Sequence, residues 1–367
     1  MKNTIGNQIT VTLFGESHGA AIGAVIDGLA PGIRIDEDYI SKKMTARRAV
    51  GKISTSRHEA DEVRFLSGVF EGYTTGAPLA LLIENTSTKS ADYSQLKVTP
   101  RPSHADYTAE CKYHGYQDYR GGGHFSGRVT AALVAAGAII SSALISKGIY
   151  IGTRIKRLAG IDDVGQFATQ ADISKVNQKI FATLDDAVAG EMTKKIEAAA
   201  ERGDSVGGVL ETLILGVPAG VGEPWFDTVE GVLSHLVFSV PAVKGVEFGA
   251  GFAIADSLGS VANDAFVIDG EKVATRTNNS GGIQGGITNG MPITLRTAIK
   301  PTPSIFIEQD SVNLEDMKEV KLKINGRHDP AIVHRARAVI DAVVAIGIAD
   351  LLAIRYGTDF LADSERK

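Results

Sequence analysis

The chain has 367 residues, a formal net charge of −5 and a single cysteine, Cys111. One thiol excludes a disulfide framework and a thiolate metal cluster within the chain, and the acidic balance argues against general nucleic-acid affinity. With 44% hydrophobic and 22% charged residues, the chain can bury an ordinary core and is not disordered by composition. Glycine is over-used, at 41 residues, which points to many tight turns, some of them close to a ligand. Met1 to Gly6 carries no apolar signal run, and the longest apolar stretch, Val129 to Ile140, is too short to span a membrane. A soluble cytoplasmic protein is the expectation.

In chain order, Ile9 to Phe14 alternates and is β-branched, so it reads as a strand, and Ile22 to Ile26 as its return. Asp36 opens a helix running to about Arg48, with acidic residues in the first turn. Val63 to Val69 and Leu79 to Ile83 are further strands. His104 to Tyr113 has helical spacing, with Ser103 as its N-cap. Gly121-Gly122-Gly123 is a loop, and Ser126 to Lys147 is a long helix of small residues stopped by Gly148. Helices follow over Glu191 to Arg202 and Asp227 to Val237, and strands over Val206 to Val217, Val243 to Ile254 and Pro292 to Ile299. A terminal helix runs from Pro330 to Tyr356, with Asp329 at its N-cap and Pro330 at its first position. No linker, composition shift or short repeat divides the chain. Strands and helices do not alternate in βαβ units, so the expected fold is α+β, one domain over residues 1–367, with antiparallel sheets packed on central helices.

The basic residues are unevenly spread. Arg47, Arg48, Lys52 and Arg57 sit together, Arg101 stands alone, and Arg120 and Arg128 bracket the glycine turn. Local arginines on an acidic protein suit a small anion rather than a polymer. Six segments carry candidate chemistry. Gly15-Glu16-Ser17-His18-Gly19 holds a histidine between glycines, where it can serve proton transfer near neutral pH, or simply be a turn. Arg101-Pro102-Ser103-His104-Ala105-Asp106 places a histidine at a helix start, where an anion is welcome, or merely caps it. The run from Gly121 to Arg128 presents backbone N–H groups to a phosphate or carboxylate. It is neither a Walker A loop nor a dinucleotide fingerprint. Asn278 to Gly286 suits a backbone pressed on a flat ligand, or a mobile loop. Lys300-Pro301-Thr302-Pro303-Ser304 is stiff and offers hydroxyls. Gly326-Arg327-His328-Asp329-Pro330 combines a helix cap with an anion-binding arginine. No pair of histidines has a zinc spacing, so no metal site is expected.

In their order and joint presence these motifs resemble the chorismate synthase family, from about Gly15 to Asp350. The match also takes in Asp118-Tyr119-Arg120, Gly203-Asp204-Ser205-Val206-Gly207-Gly208, Gly222-Glu223-Pro224 and Val243-Lys244-Gly245-Val246-Glu247-Phe248-Gly249. The resemblance implies a β-α-β sandwich, a homotetramer, reduced FMN as cofactor and 5-enolpyruvylshikimate 3-phosphate as substrate. It implies elimination of phosphate and a ring proton without net redox change. Carried over by residue, it makes His18 the group that protonates or polarises the flavin, His104 the proton donor at the departing phosphate, and Asp329 the base. It gives Arg48, Arg57, Arg101, Arg128 and Arg327 to the substrate's phosphate and carboxylates. It gives His124, Phe125, Ser126, Pro241, Ala242, Gly285, Arg327 and Lys300 to Ser304 (with Pro301, Thr302 and Pro303 between) to FMN. Many family members have Arg in place of His124 and Asn in place of Pro241, and Lys52 stands near a position that is often Arg. Some members reduce the flavin themselves with NADPH and others use an outside reductant; the sequence, lacking a separate NAD(P)H fingerprint, leaves both open. Two other classes also fit the glycine turns and arginines: a non-catalytic phosphate- or nucleotide-binding protein, and a metal-dependent hydrolase. Neither needs His18, His104 and Asp329 together with a flavin.

Overall fold

The computed structural model describes residues 2–49, 51–54, 60–86, 96–324 and 328–362. Two antiparallel five-stranded sheets enclose a layer of helices. The first sheet has the order Thr4–Ile5, Thr10–Gly15, Ala21–Asp27, Leu79–Glu84, Arg64–Ser67. The second has the order Val243–Phe248, Ile293–Ile299, Gly208–Leu215, Tyr150–Leu158, Ile161–Asp162. The expected α+β sandwich is therefore the observed architecture. In the first sheet the strand Ala21–Asp27 has burial on both faces, with Ile22, Ala24 and Ile26 fully covered. In the second, Ile293–Ile299 alternates buried and half-buried residues, the period-two pattern of a strand with one face inward.

The helices, in chain order, are α1 (Glu37–Arg47), α2 (Asp106–Tyr113), α3 (Thr130–Ser146), α4 (Gln170–Asn177), α5 (Asp186–Glu201), α6 (Val229–Ser239), the single turn α7 (Gly259–Ala262) and α8 (Val333–Tyr356). Helices α3 and α8 lie against each other at the centre; α3 touches the first sheet and α8 the second, while α1 and α6 complete the layer. The small residues of α3 serve this contact. A Cβ on Gly137 would stand 2.3 Å from the Cβ of Ala342, so the two backbones can approach only because position 137 is glycine. Together with the preceding turn, α3 makes a continuous apolar helix from Gly127 to Ser146, longer than the Val129 to Ile140 stretch read from sequence and long enough by composition to cross a membrane. Most of it, 78% of its most apolar window, is buried inside the protein between the sheets. The terminal helix is more deeply enclosed still: from Ala336 to Ala353 every residue is buried.

Two carboxylates tie helices of this layer to their neighbouring segments. Asp36 caps α1 by accepting from the Tyr39 amide at 2.9 Å. The carboxylate of Asp350, 3% exposed, accepts from the amides of Asn7, Gln8 and Ile9 at 2.9, 2.7 and 2.9 Å. Those bonds fasten the approach to the first sheet onto α8. Two caps and one strand end differ from the sequence reading. Helix α2 starts at Asp106 after Ala105, and Ser103 instead takes a left-handed φ of 61°. Helix α8 starts at Val333 after Ile332, so Pro330 and Asp329 precede it. The segment after Phe248 leaves the sheet and coils as a short 3-10 turn over Gly251–Asp256 rather than continuing to Ile254.

Candidate active site

The glycine turn is the centre of the site. Gly121, Gly122 and Gly123 all have positive φ, at 60°, 83° and 54°. A Cβ on Gly123 would fall 1.9 Å from the Asp118 carbonyl oxygen, and one on Gly121 would fall 2.6 Å from Cδ2 of His18. The run of three glycines is thus required by close approach as well as by conformation. The loop after the strand Thr10–Gly15 is fastened to it: the Ser17 amide donates to the Gly123 carbonyl at 3.1 Å, and His124 Nδ1 donates to the Gly15 carbonyl at 2.8 Å. His18 is buried against Gly121. On the next residue, the ring of His104 lies near Gly122, with Cε1 3.4 Å from where a Cβ would stand. One turn therefore separates the two histidines expected to be catalytic.

Two cavities meet at this turn. The smaller, of about 310 Å³, is lined by Arg48, Arg101, Arg128, Arg335, His328 and Gly121, among others. The larger, of about 800 Å³, is lined by His124, Phe125, Ala242, Lys300, Thr302, Pro303 and Ser304, together with apolar side chains such as Leu133. His104, Ser126, Pro241 and Asp329 line both. The sequence-derived candidates thus converge, with exceptions. His18 lines neither cavity and stands behind Gly121. Pro301 packs toward Gly207. Gly285 lies in the hairpin turn between Ile283–Gln284 and Ile287–Thr288, outside both cavities. Asn278 to Gly282 is not a mobile ligand loop: the Asp264 carboxylate accepts from the Asn279 and Ser280 amides at 2.7 and 2.8 Å. Arg57, His58, Arg327 and the side chain of Lys52 lie outside the described residues.

The arginines of the smaller cavity are held in place. Arg128 donates to Asp61, to Asn85 Oδ1 at 2.9 Å and to the Glu84 carbonyl at 3.1 Å. Arg47 donates to the other oxygen of Asp61 at 3.1 Å and to the Gly127 carbonyl at 2.9 Å. Two buried guanidinium groups converge on one buried carboxylate, a floor of N–H donors suited to an anion. Arg48 donates to the Ala60 carbonyl, and its buried Nε has no hydrogen-bond partner among the described residues. Asp329 pairs with Arg335 at 2.6 Å rather than capping α8. Asp61 and Arg335 come from segments whose motifs did not include them, and sequence reading assigned neither to the site; Arg47 entered it only as a member of the basic cluster suited to an anion.

The larger cavity suits a flavin carrying a phosphate. Its volume lies in the usual range for ligand sites, one wall is apolar, and the buried Thr302 Oγ1 has no hydrogen-bond partner among the described residues. Lys2, Lys244 and Lys300 add cations to its lining. Burial, followed by repulsion from Lys244, holds the Lys300 ammonium below its ordinary range, as expected where cations gather without an anion. Ala242, on the same wall, adopts a left-handed φ of 75°. Among the described residues no cluster of His, Cys, Asp and Glu could hold a metal.

Comparison with known proteins agrees with this geometry. The chorismate synthase family model matches residues 9–353. The chorismate synthase of Pyrococcus abyssi is 47% identical over 350 residues, covering 95% of this chain and 97% of that one. That of Dehalococcoides mccartyi strain BAV1 is 44% identical over 365 residues, covering 97% and 98%. A solved chorismate synthase crystal structure superposes with a TM-score of 0.75 at 28% identity, covering 96% of this chain and 94% of that one. The chain belongs to the chorismate synthase family.

Proposed function

We propose that the two cavities form one active site, in which 5-enolpyruvylshikimate 3-phosphate loses phosphate and a ring proton to give chorismate while reduced FMN occupies the larger cavity. The observation that carries this reading is the shared wall: His104, Ser126, Pro241 and Asp329 line both spaces, so a substrate and a flat cofactor would meet there. Reduced flavin, when bound, supplies electron density to the allylic system and ends each turnover reduced. The chain's own residues do the rest. Arg48 and the Arg47–Asp61–Arg128 floor attract the substrate's phosphate and carboxylates and neutralise charge as the phosphate departs. Arg57 and Arg327 belong to the same proposed set. His104 gives a proton to the departing phosphate. Asp329, oriented by Arg335, receives the ring proton. His18 holds a proton beside Gly121. The hydroxyls of Thr302 and Ser304, with Lys300, His124, Phe125 and Ala242, hold the cofactor.

The same reading includes a homotetramer and a cytoplasmic enzyme, one unit over residues 1–367, with NADPH or another reductant supplying the electrons that first reduce the flavin. Exposed apolar side chains between Trp225 and Val273 support assembly; Phe226 and Phe252 are 96% and 84% exposed in a single chain. The position of Gly285, outside both cavities of its own chain, also makes sense if a neighbouring copy completes the site.

The roles are tested with His18→Ala, His104→Ala and Asp329→Asn under single-turnover conditions with prereduced FMN. Each variant is expected to keep FMN binding and to lose turnover by about 100-fold or more. Near-normal turnover in both histidine variants would remove the proposed proton chemistry and favour a binding protein.

A further inference from the structure

We infer that Asp106 and Arg101 are positioning residues that hold His104 as the Nδ1–H tautomer, leaving Nε2 as its working nitrogen. The inference deepens the proton-donor reading of His104 and rests on it. His104 Nδ1 lies 2.6 Å from Asp106 Oδ1 and 3.0 Å from Arg101 Nη2. A guanidinium only donates, and a carboxylate only accepts. If Nδ1 carried no proton, its lone pair would face the carboxylate lone pairs at 2.6 Å, a repulsive contact. The proton therefore sits on Nδ1 and is donated to Asp106. Arg101 Nη2 has its own acceptor in Asp106 Oδ1 at 2.8 Å.

The carboxylate is in turn fixed by Arg101. Arg101 Nε and its backbone amide both reach Asp106 Oδ2, at 2.8 and 2.9 Å. With Nη2 on Oδ1, this makes a two-pronged pair that sets the plane of the carboxylate. Arg101 Nη1 donates to Ser304 Oγ at 3.2 Å, so all three guanidinium nitrogens are engaged within the chain. Arg101 lines the smaller cavity, yet its bonds are directed at the histidine's support. Burial raises the Asp106 carboxyl, and the hydrogen bonds from Arg101 and His104 more than reverse this, keeping it well below the usual carboxylate range.

The consequence is chemical. As a general acid the ring starts with both nitrogens protonated. The Nε2 proton passes to a phosphate oxygen as the ring C–O bond breaks, and the ring is left neutral with Nδ1–H still on Asp106. An amide at position 106 would turn an N–H toward Nδ1. The neutral ring would then carry its proton on Nε2 and have no anion to stabilise the charged form.

The test uses the full-length protein labelled with ¹⁵N in its histidine rings, with the His104 signal identified by its loss in His104→Gln. Above the pH at which the ring loses its second proton, the wild-type signal is expected to show the proton on Nδ1. Asp106→Asn is expected to move it to Nε2, lower kcat by about 100-fold or more and leave KM within about threefold. Asp106→Glu should restore part of the loss. A wild-type ring protonated on Nε2 would overturn the inference without any variant being needed. So would an Asp106→Asn protein with unchanged tautomer and kcat while His104→Gln is inactive. Should Asp106→Asn not fold, Arg101→Lys, which keeps the charge but loses the fork, is expected to lower kcat in the same way; unchanged kcat and tautomer there count against the inference. If His104→Gln itself turns over normally, the proton-donor role fails and the catalytic part of the inference with it, whatever the tautomer.

Discussion

Two histidine regions of this molecule, one half-buried and one buried, show how an imidazole's neighbours set its character. His104 stands in the turn before α2 with a carboxylate at 2.6 Å, that carboxylate gripped by Arg101. His334 stands in the first turn of α8, 1% exposed, with Ser54 Oγ at 2.8 Å from its Nε2 and the ring of Phe181 stacked at 6.0 Å. Burial, followed by repulsion from Arg335 and with Asp329 opposing, pulls its pKa from 6.5 down to about 4. An anion on the ring makes a proton carrier; a hydroxyl and an aromatic face make a neutral structural group. The glycine turn at 121–123 lies against His104, which lines both cavities, whereas His334 lines neither.

The comparison can be broken at several points. The largest stability effect is expected where the cleft's buried charges meet. Asp61 is left-handed, with φ at 52°, and bridges Arg47 and Arg128. Asp61→Ala leaves two buried guanidinium groups facing each other and should cost about 3–5 kcal/mol in urea unfolding. A loss below about 1 kcal/mol would mean that solvent or substrate groups, not Asp61, compensate these arginines.

The His334 region gives a pH signature. Its folded pKa lies below its unfolded one, so between the two values the unfolded chain binds the proton and the folded chain does not. Stability is therefore intact above about pH 6.5 and falls as pH drops toward 4, by about 3 kcal/mol from this group. His334→Gln should flatten that part of the stability profile. An unchanged slope would assign the acid sensitivity to other groups. The smallest effect is expected at Arg48, whose Nε is buried and lacks a hydrogen-bond partner among the described residues. If it receives a substrate oxygen, Arg48→Ala should raise KM by about tenfold with a smaller change in kcat. A fall in kcat alone would place its action in the transition state.

Much of the fold could be read from residue patterns. The alternating run near Thr10–Gly15 was recognisable by its period of two, and the small-residue helix α3 and the long α8 by the length of their apolar runs, which burial on nearly every face explains. The strand Tyr150–Leu158 was not recognised. It contains Arg154, Lys156 and Arg157, and charge there hides a position that is fully buried: Arg154 is 2% exposed because Glu211 and Asp163 meet it at 2.6 and 3.3 Å. The caps at Ser103 and Asp329 were misread because both side chains have tertiary partners, Lys300 and Arg335, that outweigh the local capping preference. For the site, the motif residues assembled as expected around the glycine turn. Asp61 was not legible, since folding brings its partners Arg47 and Arg128 near; Arg335 and Asp106 have partners close in sequence, but their pairing depends on local turns that spacing alone does not give.

The central claim is a non-redox elimination carried out in this cleft. The most direct measurement mixes the purified chain anaerobically with photoreduced FMN and 5-enolpyruvylshikimate 3-phosphate, following chorismate absorbance, phosphate release and the flavin spectrum together. Equal amounts of chorismate and phosphate, with the flavin still reduced at the end, are the predicted result. Tight binding of both ligands with no product, or flavin oxidised in step with product, would contradict it.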